Sequence, residues 1–222
     1  NNETASLLNS IGYKNVTISG DTRFDRVMTI ANNAKSFPDI EKFCEGDKKI
    51  VLAGSSWLAD ERIIEEAIKE MNIKLIIAPH VVGESHINEI QQLFPNSILY
   101  SELSQTEKES NVLIINCIGI LSNIYQYCDI AYIGGGFGVG IHNTLEAATF
   151  GKPICFGSNY QKFQEAVDFI NLNAAYSINN ASELKQILNN LLNNEQFYAT
   201  SASAAKKYVN DKIGACSKII TH

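Results

Sequence analysis

The chain has 222 residues, 45% of them hydrophobic and 19% charged, with a formal net charge of −6. That length can bury one sizeable core, so one large domain is the simpler expectation. The acidic balance and the absence of a long Lys/Arg run exclude a general nucleic-acid binder, and apolar runs such as Val112 to Ile115 fall far short of the roughly 20 residues of a membrane helix.

No signal peptide opens the sequence, and a soluble, cytoplasmic protein is expected. Cys44, Cys117, Cys128, Cys155 and Cys216 form no CxxC pair, which suits reduced thiols. His80, His86, His142 and His222 show no HExxH spacing, and no Asp-x-Asp occurs, so no metal is assigned.

In chain order, the opening twenty residues carry a short helical stretch and a β-rich run from Val16 to Ser19, and read as the end of a preceding domain or a linker, with the main domain over 21–222. GDTRFD at Gly20 to Asp25 reads as a linker, and Arg26 to Ala34 as a helix before the Phe37-Pro38 break. Strands are predicted at Ile50–Ala53, Lys74–Ala78, Ile98–Tyr100, Val112–Asn116, Ile130–Ile133 and Pro153–Phe156. Between them, helical spacing runs over Asp60–Met71, Glu84–Phe94, Leu121–Cys128 and Asn143–Phe150. Gly54, Ser55 and Ser56 read as a polar turn, and covering helices follow Tyr176. Such alternation implies an α/β fold: a Rossmann-like parallel sheet with helices on both faces and ligands at the carboxyl ends of the strands.

The stretch Asp129 to Gly157 is the centre of this pattern. A short apolar strand leads into Gly134, Gly135, Gly136, Gly138 and Gly140, and then Asn143 stands as a helix cap with Glu146 in the first turn. Free N–H groups at such a helix start suit an anion, most often phosphate. Neither GxGxxG nor GxxxxGK[ST] fits the run. A glycine-rich turn that only lets strand and helix pack remains open, as does a ligand-free capping box between Asn143 and Glu146.

Read together, GDTRFD, APH at Ala78, IGGGFGVGIHNTLEAA from Ile133 and FGKPICFGSNYQKFQEA from Phe150 resemble the 3-deoxy-D-manno-octulosonic acid (Kdo) transferases, bacterial enzymes of lipopolysaccharide biosynthesis. The resemblance covers the donor-binding, C-terminal half of that family, whose members fold as two facing Rossmann-like domains of the GT-B type. It implies a glycosyltransferase domain that binds CMP-Kdo without metal or cofactor, for inverting transfer of Kdo to a lipid A precursor. By position it places CMP contacts at Pro79 and His80, at Ile118, Gly119 and Ile120, and at Asn143, Thr144, Leu145 and Glu146, where Asn143 and Thr144 would receive phosphate and Glu146 the ribose hydroxyls.

Arg23, Ser55, Gly135, Gly136 and His142 are further candidate donor contacts. No catalytic residue falls within this piece: the resemblance puts the general base, the lipid acceptor and the membrane-docking surface in an N-terminal half. The implied full-length protein sits at the cytoplasmic face of the inner membrane, and the piece alone is expected to be inactive. Two other readings stay open: another GT-B transferase or epimerase domain that binds a UDP-sugar, and a nucleotide-binding module without chemistry.

Overall fold

A computed structural model of the chain describes residues 2–106 and 108–221; His222, named above, and the first residue of the opening stretch lie outside that range. Its elements in order are α1 (Asn2–Ser10), α2 (Thr22–Asn32), α3 (Pro38–Cys44), β1 (Lys49–Ser56), α4 (Leu58–Ile68), β2 (Ile73–Pro79), α5 (Glu84–Leu93), β3 (Ile98–Leu99) and β4 (Val112–Ile114). There follow α6 (Leu121–Ile124), β5 (Ile130–Ile133), α7 (Leu145–Thr149), β6 (Ile154–Gly157), α8 (Gln164–Asn171), β7 (Ala175–Ile178), α9 (Ala181–Asn193), α10 (Glu195–Asn210) and α11 (Ala215–Ile220). The seven strands form one sheet in the order β3-β4-β2-β1-β5-β6-β7, and every pairing is parallel.

Parallel neighbours need crossover connections, which place helices over both faces of the sheet. Successive side chains of a strand point to opposite faces. Ile50 and Leu52 of β1 therefore join the core beneath α2, α3, α7, α8 and α10, together with Ile76, Ile133 and Phe156. Val51 and Ala53 join the other layer, beneath α4, α5 and α9, with Leu75, Ile77 and Tyr132. Because both faces are covered, the strands read as continuous apolar runs rather than as an alternation. That is the pattern expected of a buried parallel sheet. Among the described residues no helix is long and apolar enough to cross a membrane.

The Rossmann-like parallel architecture expected from the sequence is therefore present, with several differences in detail. Val16 to Ser19 form no strand. GDTRFD is not a linker: Asp21 caps α2 by accepting the Arg23 N–H at 2.8 Å, and the helix begins at Thr22. Asp25 ties that helix to the carboxyl end of the chain, accepting the N–H of Gly214 at 2.7 Å and of Cys216 at 3.2 Å.

Gly54 to Ser56 continue β1 instead of turning, because Gly54 still pairs with Ala78 of β2 and Ile133 of β5. The irregularity falls at Ser55, which has a positive φ of 53° and interrupts the register with β2. Helix α8 and strand β7 carry weak sequence signals: β7 alternates buried ends with half-buried Tyr176 and Ser177 at the sheet edge. Helix α3 is short and starts at the Pro38 that reads as a break, since proline is well suited to a first helical turn.

Candidate functional site

Strands β1, β2, β4 and β5 end on one edge of the sheet, and the loops leaving them carry most of the residues singled out in the sequence. The glycine turn after β5 is built for close packing. A Cβ at Gly134 would collide with the Ser55 carbonyl, and one at Gly136 would lie 2.5 Å from the Gly157 nitrogen. Gly135 has a φ of 92° and Gly140 of 125°, where a side chain is strained.

Four N–H groups of the turn are spent within the protein. Gly134 donates to the Gly54 carbonyl at 2.9 Å, Gly138 and Gly140 donate to the Gly135 carbonyl, and Gly135 donates to Asp60 Oδ2 at 2.9 Å. This part of the loop shapes the edge of the sheet rather than cradling an anion. Helix α7 is also shorter than expected. It spans five residues, and Asn143 Oδ1 accepts the Leu145 N–H at 3.1 Å. Asn143 Nδ2 meanwhile donates to Glu146 Oε1 at 3.1 Å, a side-chain bond in place of the reciprocal capping box.

Beside this turn lies an open cleft of about 290 Å³, lined by Ser55, Gly119, Leu121, Ser122, Tyr125, His142, Asn143 and Glu146. Glu146 is its one carboxylate. Burial pushes its carboxyl above the ordinary carboxylate value, against the Asn143 hydrogen bond and the nearby Arg26 charge. The Tyr125 hydroxyl is buried in the wall beside Gly54, where any Cβ would collide with it. Thr144 is buried at 1% exposure, and its Oγ1 has no partner among the described residues. A buried hydroxyl without a partner costs stability, and because Thr144 is not among the residues that line the cleft, its side chain does not reach a ligand there.

At the rim stand three rings from three loops. His80 follows β2 and stacks on Trp57, which follows β1, with centroids 4.6 Å apart. It also stacks on His142 at 4.4 Å, while the indole Nε1–H of Trp57 donates to His142 Nε2 at 3.2 Å. Burial and the neighbouring His80 hold His142 below the ordinary imidazole value of 6.5, with Asp60 opposing them.

Beneath the glycine turn, Asp60 is buried and bonded by three donors: Tyr132 hydroxyl at 2.8 Å, Gly135 N–H at 2.9 Å and Trp57 N–H at 3.0 Å. Its neighbour Glu61 accepts from Ser56 Oγ at 2.8 Å and meets His86 Nε2 at 3.1 Å. Burial raises both carboxyls.

Of the residues picked from the sequence, Ser55, Gly119, His142, Asn143 and Glu146 converge in the cleft. Pro79 ends β2, and His80 is anchored by its N–H to the Ser56 carbonyl at 2.9 Å. Ile118 projects at 80% exposure, and Ile120 packs partly into the core. Leu145 is fully buried, so its side chain is unable to reach a ligand.

Arg23 is not in the cleft. It forms an ion pair with Glu165 at 2.8 Å and another with Asp21 at 2.8 Å, and these two carboxylates raise its pKa. Ser56 does not cap the following helix, because its hydroxyl is committed to Glu61. Trp57 and Tyr125 were missed. The sole tryptophan of the chain placed directly after a strand, and a lone glycine inside that strand, were the available signals.

A larger hollow of about 720 Å³ lies at the opposite, amino edge of the sheet, with Lys42, Lys48, Lys74 and Lys108 among its walls. Three of these lysines close loops: Lys74 Nζ bonds the Phe43 and Glu45 carbonyls, Lys48 Nζ bonds Asn111 and Lys108 Nζ bonds the Ser97 carbonyl. None of the residues picked from the sequence lines this hollow, so the carboxyl-edge cleft, where five of them meet, is the better site.

No family model matches the chain. A 3-deoxy-D-manno-octulosonic acid transferase from Rickettsia bellii is 29% identical over 218 residues, covering 92% of this chain and 51% of the relative. The C-terminal CMP-Kdo binding domain of WaaA from Acinetobacter baumannii superposes with a TM-score of 0.66 at 21% identity, over 82% of this chain and 97% of that domain. A UDP-N-acetylglucosamine 2-epimerase superposes with a TM-score of 0.62 at 15% identity, over 94% of this chain and 54% of that one. The two structural likenesses establish the fold, that of one GT-B half. The chain is related in sequence to the Kdo transferases, as its motifs implied, and it spans about half the length of the Rickettsia relative.

Proposed function

We propose that this chain is the donor-binding half of a Kdo transferase, holding CMP-Kdo for inverting transfer of Kdo to a lipid A precursor. The observation that carries the reading is the convergence of Ser55 at the end of β1, Gly119 after β4, and His142, Asn143 and Glu146 between β5 and the first turn of α7, in one cleft at the carboxyl edge of a parallel sheet. Sequence likeness to a Kdo transferase, 29% identity over 218 residues that cover 92% of the chain, supports that reading of the cleft. Glu146 would accept from the ribose hydroxyls, while the Asn143 amide would meet the phosphate and stabilise the charge of CMP as it leaves. With its short α7 and internally bonded glycines, the site would rely on these side chains more than on a helix dipole.

Donor binding would need no divalent metal. The cleft has one carboxylate, already bonded to Asn143 and with its pKa raised by burial, which is a poor donor set for a hard cation. The general base and the acceptor and membrane surfaces would come from outside these residues, with the full-length enzyme at the cytoplasmic face of the inner membrane. The chain alone would then turn over nothing.

Calorimetric titration with CMP and with UDP, each with and without EDTA, tests the reading. Expected are weak CMP binding that the chelator leaves unchanged and weaker binding of UDP. Preference for UDP would favour a UDP-sugar enzyme, and loss of CMP binding in EDTA would contradict the metal-free site. Kdo-lipid formed from CMP-Kdo by this chain alone, above a buffer blank, would contradict the division of the active site.

A further inference from the structure

Trp57 has no part in the donor reading given so far, yet it organises the rim of the cleft. Its indole Nε1–H donates to His142 Nε2 at 3.2 Å, and His80 lies within stacking distance of both rings, tilted 28° from Trp57 and 23° from His142. The indole and the His142 ring are therefore joined edge to edge, with His80 laid across the pair. The main chain fixes both neighbours: the Trp57 N–H is held by Asp60 at 3.0 Å, and the His80 N–H by the Ser56 carbonyl at 2.9 Å.

An indole nitrogen only donates, so the nitrogen it meets must be an acceptor. A neutral imidazole that accepts at Nε2 carries its proton on Nδ1. We infer that Trp57 is a positioning residue of the donor cleft: it fixes His142 as the neutral Nδ1–H tautomer, which offers a hydrogen-bond donor to an acceptor oxygen of the nucleotide. The inference rests on the donor reading above for the ligand, but not for the tautomer.

Protonation of His142 would set two N–H donors against each other and break the indole bond. The groups facing the ring act in both directions: His80 opposes its protonation, Asp60 favours it, and Glu146 lines the same cleft. Protonation therefore costs the Trp57 bond while leaving the Nδ1–H donor in place.

The test is long-range 1H–15N correlation of the imidazoles in the labelled protein at pH 7.5, for wild type and Trp57→Phe, paired with CMP titration of both. Phenylalanine keeps a ring under His80 but removes the indole N–H. Expected are a bare Nε2 and a protonated Nδ1 on His142 in the wild type. In the variant a tautomer mixture is expected, with CMP affinity lower by roughly three- to tenfold, the worth of one lost hydrogen bond.

His142 found as the Nε2–H tautomer in the wild type overturns the inference without recourse to a variant. Unchanged His142 shifts, or unchanged CMP affinity, in a folded Trp57→Phe protein also overturn it. A wild type that shows the Nδ1–H tautomer but binds no CMP supports the tautomer assignment and counts against the donor reading instead.

Discussion

Two carboxylates beside the same glycine run, Asp60 buried and Glu146 half-buried, have opposite surroundings. Asp60, under the turn, accepts from a tyrosine hydroxyl and two backbone N–H groups and is 1% exposed. Glu146, in the cleft, accepts from one neutral amide and borders open space. Both have raised pKa values because burial disfavours their charged forms. The difference lies in acceptor capacity. A carboxylate surrounded by donors from its own chain holds the fold together, whereas one with lone pairs left over in a cleft is available to a ligand.

The largest effect should follow from breaking the satisfied site. Asp60→Ala would leave the Gly135 and Trp57 N–H groups and the Tyr132 hydroxyl without their partner in the interior, a loss on the order of 3 kcal/mol or more. Thermal melting should show it, and an unaltered melting temperature would mean the three bonds are dispensable.

Gly54→Ala tests the wall between the two regions. Its Cβ would collide with the Tyr125 hydroxyl, forcing that ring toward the cleft or the strand out of register, with roughly 1 to 3 kcal/mol of overpacking cost. Pairing the change with Tyr125→Phe should recover much of the lost stability, because the colliding atom is the hydroxyl. A double mutant no more stable than Gly54→Ala would place the strain elsewhere.

At Glu146 the prediction separates binding from folding. Glu146→Gln should leave melting within a few tenths of a kcal/mol, since a neutral amide is no worse to bury than a carboxyl with a raised pKa. It should also weaken CMP by roughly ten- to hundredfold, as two charge-assisted bonds become at most one neutral one. Equal affinities with equal melting would reduce Glu146 to a partner of Asn143.

The smallest effect concerns pH. The folded state holds His142 below its ordinary 6.5, so the unfolded chain binds more protons just below that value. The stabilisation from a neutral His142 is thus complete above pH 6.5 and is lost as pH falls through the lower, folded value. Melting of wild type relative to His142→Gln should narrow in that direction; a gap that widens as the pH is lowered contradicts the assignment.

The sheet was legible in the sequence because both its faces are covered: Ile130 to Ile133 is apolar at every position, and the structure gives that strand the same bounds. Strand β7 was not, since it lies at the sheet edge and two of its four residues are half-exposed. In the cleft, the His142-Asn143-Glu146 cluster was readable from its local spacing. The role of Trp57 was not, because it depends on His80 and His142, 23 and 85 residues away, and no local pattern reports such a meeting. Arg23 misled for the same reason: a charge in an apparent linker proves to be paired with Glu165, 142 residues on.

The central claim is that the cleft beside Glu146, and no other hollow of the chain, receives the nucleotide. Titrating 15N-labelled protein with CMP and following the backbone amides tests it residue by residue. The account predicts saturable shifts at Ser55, Gly119, His142, Asn143 and Glu146, with the hollow around Arg23 and Glu165 silent. Shifts confined to that second hollow or to the lysines of the amino edge, or none that saturate, would contradict it.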